Sequence, residues 1–177
     1  MDYLIISWLN GFAGQKIWLD ILGIILAEFL IFFLPLVIVF TYFFSSKRKK
    51  LLTIALKIIF SLALVYGLNY LVGLIFARLR PFVDHKEIYQ LAKFFDKTTD
   101  YSFPSYHTAT AFVMAFIVLL DWRKFGIILL IPALLVGLGR VFAGVHYPTD
   151  ILGGIITALV SAYSINFIFK YFKYGNS

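Results

Sequence analysis

Five apolar stretches, each near the length of one membrane crossing, constrain this 177-residue chain more than any other feature. Crossing about 30 Å of hydrocarbon takes roughly 20 apolar residues in a helix. The stretches run over about 17–44, 51–76, 104–120, 125–141 and 148–169, with polar residues at every break. A soluble domain carries about 25% charged residues; here the share is 14%, with 62% hydrophobic. A core of this size cannot hide so much apolar surface, so lipid must cover it. The expected fold is an all-α integral membrane protein, a single domain over residues 1–177 with five transmembrane helices.

An N-terminal interfacial amphipathic helix over 2–15 precedes the spans. Ser7, Asn10, Gly11 and Gly14 recur at helical spacing and form a polar stripe expected to face water, while Leu4, Trp8 and Phe12 cover the rest. No basic n-region or small-residue cleavage site marks it as a secretory signal.

The net charge of +7 has no polar module with a basic, aromatic-laced face to present to nucleic acid. The expected partners are the bilayer and an amphiphilic lipid phosphate. Lys47, Arg48, Lys49, Lys50, Lys57, Arg123, Lys124, Lys170 and Lys173 fall on one side, with Lys57 reaching back to the interface as a snorkelling side chain. Lys16, Arg78, Arg80, Lys86, Lys93, Lys97 and Arg140 fall on the other. The first side is therefore cytoplasmic by the positive-inside rule. The N-terminal helix and the 77–104 and 142–147 loops face outward from the inner (cytoplasmic) membrane.

This topology gathers the unusual polar residues at the outer ends of four spans. Arg78, Arg80 and Pro81 end the second; Ser105 and His107 open the third; Arg140 ends the fourth; His146 and Asp150 open the fifth. Arginines brought together need an anion between them, and their forks match phosphate oxygens. A third span opening at Pro104, a residue suited to the first helical turn, adds free N–H groups and a dipole end. His146 and Asp150 are four apart, so the carboxylate can fix the imidazole tautomer and leave the other nitrogen to attack phosphorus. His107, one turn into its helix, can hold the leaving group's proton. The charges between Asp84 and Asp100 read as a solvated loop. Glu28 and Asn69 lie inside spans, where polar residues are costly and mark function or an interhelical hydrogen bond.

Three motifs carry a family resemblance. Arg80-Pro81 matches the end of K-x6-R-P, Pro104-Ser105-Tyr106-His107 matches P-S-G-H, and Gly139-Arg140 with His146 and Asp150 matches S-R-x5-H-x3-D. Over roughly 65–155 the chain resembles the type 2 phosphatidic acid phosphatase family. Its small undecaprenyl-diphosphate phosphatases of the bacitracin-resistance type are similar at Asn69-Tyr70-Leu71 and Arg80-Pro81-Phe82-Val83. The resemblance implies a phosphohistidine on His146, His107 as general acid, Asp150 as orienter, and Arg80, Ser105 and Arg140 as phosphate ligands. It implies no cofactor and no metal. Gly73 stands at the motif lysine, with Arg78 the candidate to replace it and to hold the second phosphate of a diphosphate. Tyr106 replaces the motif glycine and either narrows the pocket or adds a hydroxyl; Gly139 replaces serine. The expected activity is hydrolysis of undecaprenyl diphosphate to the monophosphate. Phosphatidylglycerol phosphate and lipid A 1-phosphate fit the same centre, and a non-catalytic lipid binder or transporter is the contrasting class. The chain contains no cysteine, which removes thiolate chemistry.

Overall fold

A computed structural model of the chain describes residues 1–44, 48–94, 96, 98 and 100–174. Ser45, Ser46 and Lys47 of the basic connection lie outside the described residues, as do Lys97 and the side chains of Arg48 and Lys173. Helices account for all regular structure among the described residues. They are α1 (Asp2–Asn10), α2 (Ile17–Ile24), α3 (Leu30–Phe44), α4 (Arg48–Phe76), α5 (Pro81–Asp84), α6 (Tyr106–Asp121), α7 (Arg123–Phe142) and α8 (Pro148–Tyr174). A single π-helical turn, Ile25–Phe29, joins α2 to α3 without a break.

Four segments are long and apolar enough to cross a membrane: Ile17–Phe40, Lys49–Asp84, Arg123–Phe142 and Pro148–Phe172. Their outward faces carry exposed Ile17, Phe33, Leu36, Ile59, Ile75, Ile131 and Phe167, a surface that suits hydrocarbon rather than water. The third expected span, α6, is shorter, with 16 residues. Its residues Ala111 to Val118 are all buried, because α3, α4, α7 and α8 surround it. A helix apolar on every side belongs in such a position, and Ala109, Ala111 and Ala115 let its neighbours approach closely.

Local chemistry explains the joints. Only Trp122 separates α6 from α7, and Gly126 makes this turn possible: a Cβ there would lie 2.1 Å from the Leu119 Cα. Lys57 does not snorkel as the sequence suggested. It is buried, and its ammonium donates to Asp121 at 2.8 Å and to Asn166 at 2.9 Å, locking α4 to the ends of α6 and α8. An ammonium with two oxygen partners inside the bundle avoids the cost of a buried unpaired charge.

The N-terminal helix also departs from expectation. It stops at Asn10, and residues 11–15 form turns. Asn10 is buried rather than facing water; its amide donates to the carbonyls of Tyr89 and Phe142, and its oxygen accepts the Tyr89 N–H. Tertiary partners therefore claim one member of the polar stripe, pinning α1 against α7 and the long loop after α5.

Candidate active site

The site lies where the C-terminal end of α7 meets the N-terminal ends of α6 and α8. A backbone hydrogen bond from Ser105 N–H to the Asp150 carbonyl, 3.1 Å, ties the last two together. Ser105 is the N-cap of α6. Its fully buried hydroxyl oxygen accepts from the Thr108 N–H at 3.4 Å and from the Thr108 hydroxyl at 3.0 Å. Serine is favoured there because its oxygen satisfies an orphan N–H. The helix thus starts at Tyr106, two residues after the expected Pro104.

His146 sits between two charges of opposite sign. Its Nδ1 faces the Asp150 Oδ2 at 3.5 Å, and its Nε2 lies 3.4 Å from the Arg80 Nη1. An arginine N–H can only donate, so this contact makes Nε2 the acceptor and leaves the proton on Nδ1. The tautomer follows from the network rather than from a seen hydrogen. Burial, reinforced by Arg80 and then Arg140, holds the His146 pKa well below the ordinary histidine range. The imidazole is therefore neutral at neutral pH, the state a nucleophile requires. Asp150 is itself fully buried, in the first turn of α8, where a helix N-terminus favours a carboxylate. Its Oδ2 also accepts the Tyr147 N–H at 2.8 Å.

Arg80 and Arg140 converge on one carboxylate that sequence reasoning missed. Asp96, in the loop read as solvated, is buried, and its Oδ1 lies 2.7 Å from the Arg80 Nη1. The same oxygen accepts from the Arg140 Nη2. Arg80 also donates to the Val145 carbonyl at 3.1 Å. Arg140 has no exposed surface, and a longer contact of 3.4 Å joins it to the Ala27 carbonyl in the π-turn. Glu28 of that turn acts on Arg140 electrostatically and accepts the Phe94 N–H at 3.0 Å, which fastens the loop carrying Asp96 to the first rod. The departure from the motif serine at 139 has a steric cause here. A Cβ on Gly139 would stand 2.7 Å from the Ala27 backbone nitrogen. Among the described residues, the Nε atoms of Arg80 and Arg140 and the Asp96 Oδ2 are buried without hydrogen-bond partners.

A cavity of about 400 Å³ opens beside this cluster, lined by Asn69, Gly73, Arg80, Asp96, Tyr106, His107 and His146 among others. His107 also lines an apolar groove of about 570 Å³ between α3 and α4. Tyr66 on that groove stacks edge-to-face on Tyr106, with ring centroids 5.2 Å apart. The structure thus brings Arg80, Tyr106, His107 and His146 to one wall, with Arg140 behind Asp96 and Asp150 behind His146. Ser105 caps the helix and does not line the cavity.

Arg78 is elsewhere. Its guanidinium donates to the Asp150 Oδ1 at 2.9 Å, the Thr149 hydroxyl at 2.6 Å and the Asp2 Oδ2 at 2.8 Å, over the Tyr147 ring at 3.8 Å. Arg78 lies on the irregular segment after α4 and is held on the far side of Asp150 from His146, so the expectation of a second phosphate ligand is not met by this geometry. From the second span Asn69 reaches the cavity, beside Tyr70, Gly73 and Leu74. It is fully buried, and both its amide atoms lack partners among the described residues. It sits four residues before Gly73, on the same face of α4. The signal in the sequence was a carboxamide inside a span, at helical spacing from the missing lysine.

Among the described residues no group of three His, Asp or Glu side chains is arranged to hold a metal ion.

Comparison with known proteins places this geometry in context. The family model of the PAP2 superfamily matches residues 54–174. The undecaprenyl-diphosphatase BcrC of Bacillus subtilis is 31% identical over 98% of this chain and 84% of its own length. Among solved structures, LpxE of Aquifex aeolicus superposes with a TM-score of 0.68 at 22% identity, covering 93% of each chain. A PAP2-type phosphatidylglycerolphosphate phosphatase from Bacillus subtilis gives 0.63 at 23% identity, over 96% of this chain and 84% of that one. At these identities the two structures speak for the fold.

Proposed function

This chain belongs to the PAP2 superfamily and is a membrane lipid phosphatase, and on that premise we propose that it hydrolyses undecaprenyl diphosphate to undecaprenyl phosphate through a phosphohistidine on His146. The observation that carries the reading is the joint placement of a neutral His146, backed by Asp150, against two buried arginines.

Arg80 and Arg140 take the oxygens of the terminal phosphate, with their unpartnered Nε–H groups available for two of them. The His146 Nε2 attacks phosphorus, and the bond to the bridging oxygen breaks. His107 donates its proton to the leaving lipid phosphate. Water, deprotonated by His107, then attacks the phosphohistidine, releasing inorganic phosphate and restoring both histidines. Charge on the equatorial oxygens stays beside the guanidinium groups throughout, where positioning and electrostatics do most of the catalysis. Asn69 takes the place of the motif lysine and donates to the second phosphate. The prenyl chain runs from His107 along the apolar groove between α3 and α4.

In the membrane α6 counts as a fifth span, enclosed by the others, and α1 lies in the outer interface with Leu4 and Trp8 toward lipid. With the basic connections on the cytoplasmic side, the site in this reading faces outward. The similarity to BcrC favours the diphosphate; phosphatidylglycerol phosphate and lipid A 1-phosphate are the competing substrates. Purified protein should release phosphate from undecaprenyl diphosphate, and His146→Ala should abolish release. Phosphate release by that variant at the wild-type rate would refute the mechanism.

A further inference from the structure

Asp96 stands in front of one of the two arginines that the reaction requires. It lines the cavity, whereas Arg140 is wholly buried behind it and does not. Any phosphate that engages both guanidinium groups must take over the position of the Asp96 carboxylate. We propose that Asp96 is a tethered competitor that occupies the arginine pair in the empty site, keeps weakly bound phosphodiester headgroups out of it and is displaced by a terminal phosphate. This rests on the proposed function of the same site.

Phosphate binding at the arginine pair is an exchange with the carboxylate. A bilayer surface is a dense array of phosphodiester headgroups, each with one negative charge and oxygens that arginine forks would bind. Two bare arginines at that surface would be saturated by them. The carboxylate, tethered on its loop, competes at an effective concentration of about millimolar or more, with no further loss of translational freedom. Replacing it with a phosphodiester swaps one single negative charge for another and gains nothing. A terminal phosphate carries about −1.5 to −2 at neutral pH, so its attraction to both arginines is up to twice as strong. Glu28 stays beside Arg140 in both states and cancels from the comparison.

Contacts within and onto the loop hold Asp96 in this position. The Gln90 amide donates to the Asp96 carbonyl at 3.2 Å and the Ala92 carbonyl at 3.1 Å, and Glu28 holds the Phe94 N–H. The carboxylate itself is satisfied on one oxygen only, since its Oδ2 is buried without a hydrogen-bond partner among the described residues. A phosphate with three free oxygens can use the arginine donors that one carboxylate oxygen leaves unsatisfied.

The test uses full-length protein in mixed micelles, with phosphatidic acid as monoester substrate and phosphatidylglycerol as diester inhibitor. In Asp96→Asn the diester Ki should fall at least tenfold, and the monoester KM should fall with it, because both ligands are freed from the same competitor. Asp96→Glu, which keeps the charge, should hold the diester Ki within about threefold of wild type. If the Asn variant does not fold, Asp96→Ser serves in its place. An unchanged diester Ki in the neutral variants, or an equal fall in the Glu variant, overturns the proposal. A second readout needs no turnover: dimethyl phosphate should raise the melting temperature of Asp96→Asn but not of wild type, whereas inorganic phosphate should raise both. If wild type hydrolyses no lipid phosphate, the proposed function fails; the melting-temperature pattern then upholds or rejects the exchange by itself.

Discussion

Arg78 and Asp150 form a 2.9 Å ion pair on the side of the carboxylate away from His146. The pair gives Asp150 one oxygen for Arg78 and one for the histidine, and the second arm of Arg78 reaches Asp2 of the N-terminal helix. Removing the guanidinium should let the carboxylate turn, which affects the chemical step and not phosphate binding. Arg78→Ala is therefore expected to lower kcat by roughly ten- to hundredfold, the range for one charged hydrogen bond of about 1.5–3 kcal/mol. KM should change little, and the loss should be equal on diphosphate and monoester substrates. A selective loss on the diphosphate would instead make Arg78 a ligand of the second phosphate.

Asn69 should behave in the opposite way. Its buried amide faces the cavity without partners among the described residues. Asn69→Ala is expected to raise KM for undecaprenyl diphosphate by about tenfold, consistent with one hydrogen bond to a charged group, and to leave the monoester KM within about twofold. Parallel kinetics on the two substrates distinguish this from a structural role.

Gly139 packs directly on the π-turn. A methyl group at 139 must push the turn away from Arg140, since it would meet backbone at 2.7 Å. Gly139→Ala should destabilise the protein by about 1–3 kcal/mol, as overpacking does, and lower activity with it. A melting temperature equal to wild type would contradict this packing.

The buried His146 also sets a pH dependence of stability. In the unfolded chain this histidine titrates near 6.5, while in the folded protein its pKa is well lower. Below pH 6.5 the unfolded state therefore binds the extra proton, and stability falls as pH drops. His146→Gln should lose less melting temperature than wild type between pH 7 and pH 5. An equal loss in both proteins would contradict a neutral, buried His146.

Topology is open to labelling. Lys86→Cys, in the exposed part of the loop after α5, should react with an impermeant thiol reagent in intact cells. Lys124→Cys, at the start of α7, should react only after permeabilisation. The reverse pattern would put the site on the cytoplasmic face.

The helices were legible because lipid leaves a chain few options: long apolar runs with polar breaks read directly as rods, and their limits hold within a few residues. His107, Arg140, His146 and Asp150 were legible because they cluster at helix ends. Asp96 was not, because nothing local distinguishes a loop carboxylate that folds back onto two arginines from one in water; its partners come from α7 and from the segment before α5. The side to which Arg78 points was equally hidden, since on an irregular segment no fixed period relates residues two apart and tertiary contacts decide their directions. That Gly139 replaces the motif serine is plain in the sequence, but the reason is not, because it lies in the π-turn packed against it.

The central claim is most directly tested by phosphate release from undecaprenyl diphosphate, phosphatidylglycerol phosphate and lipid A 1-phosphate, compared as kcat/KM with one preparation of purified protein. The account expects the diphosphate to be turned over with the highest kcat/KM of the three. A diphosphate slower than both monoesters would contradict it.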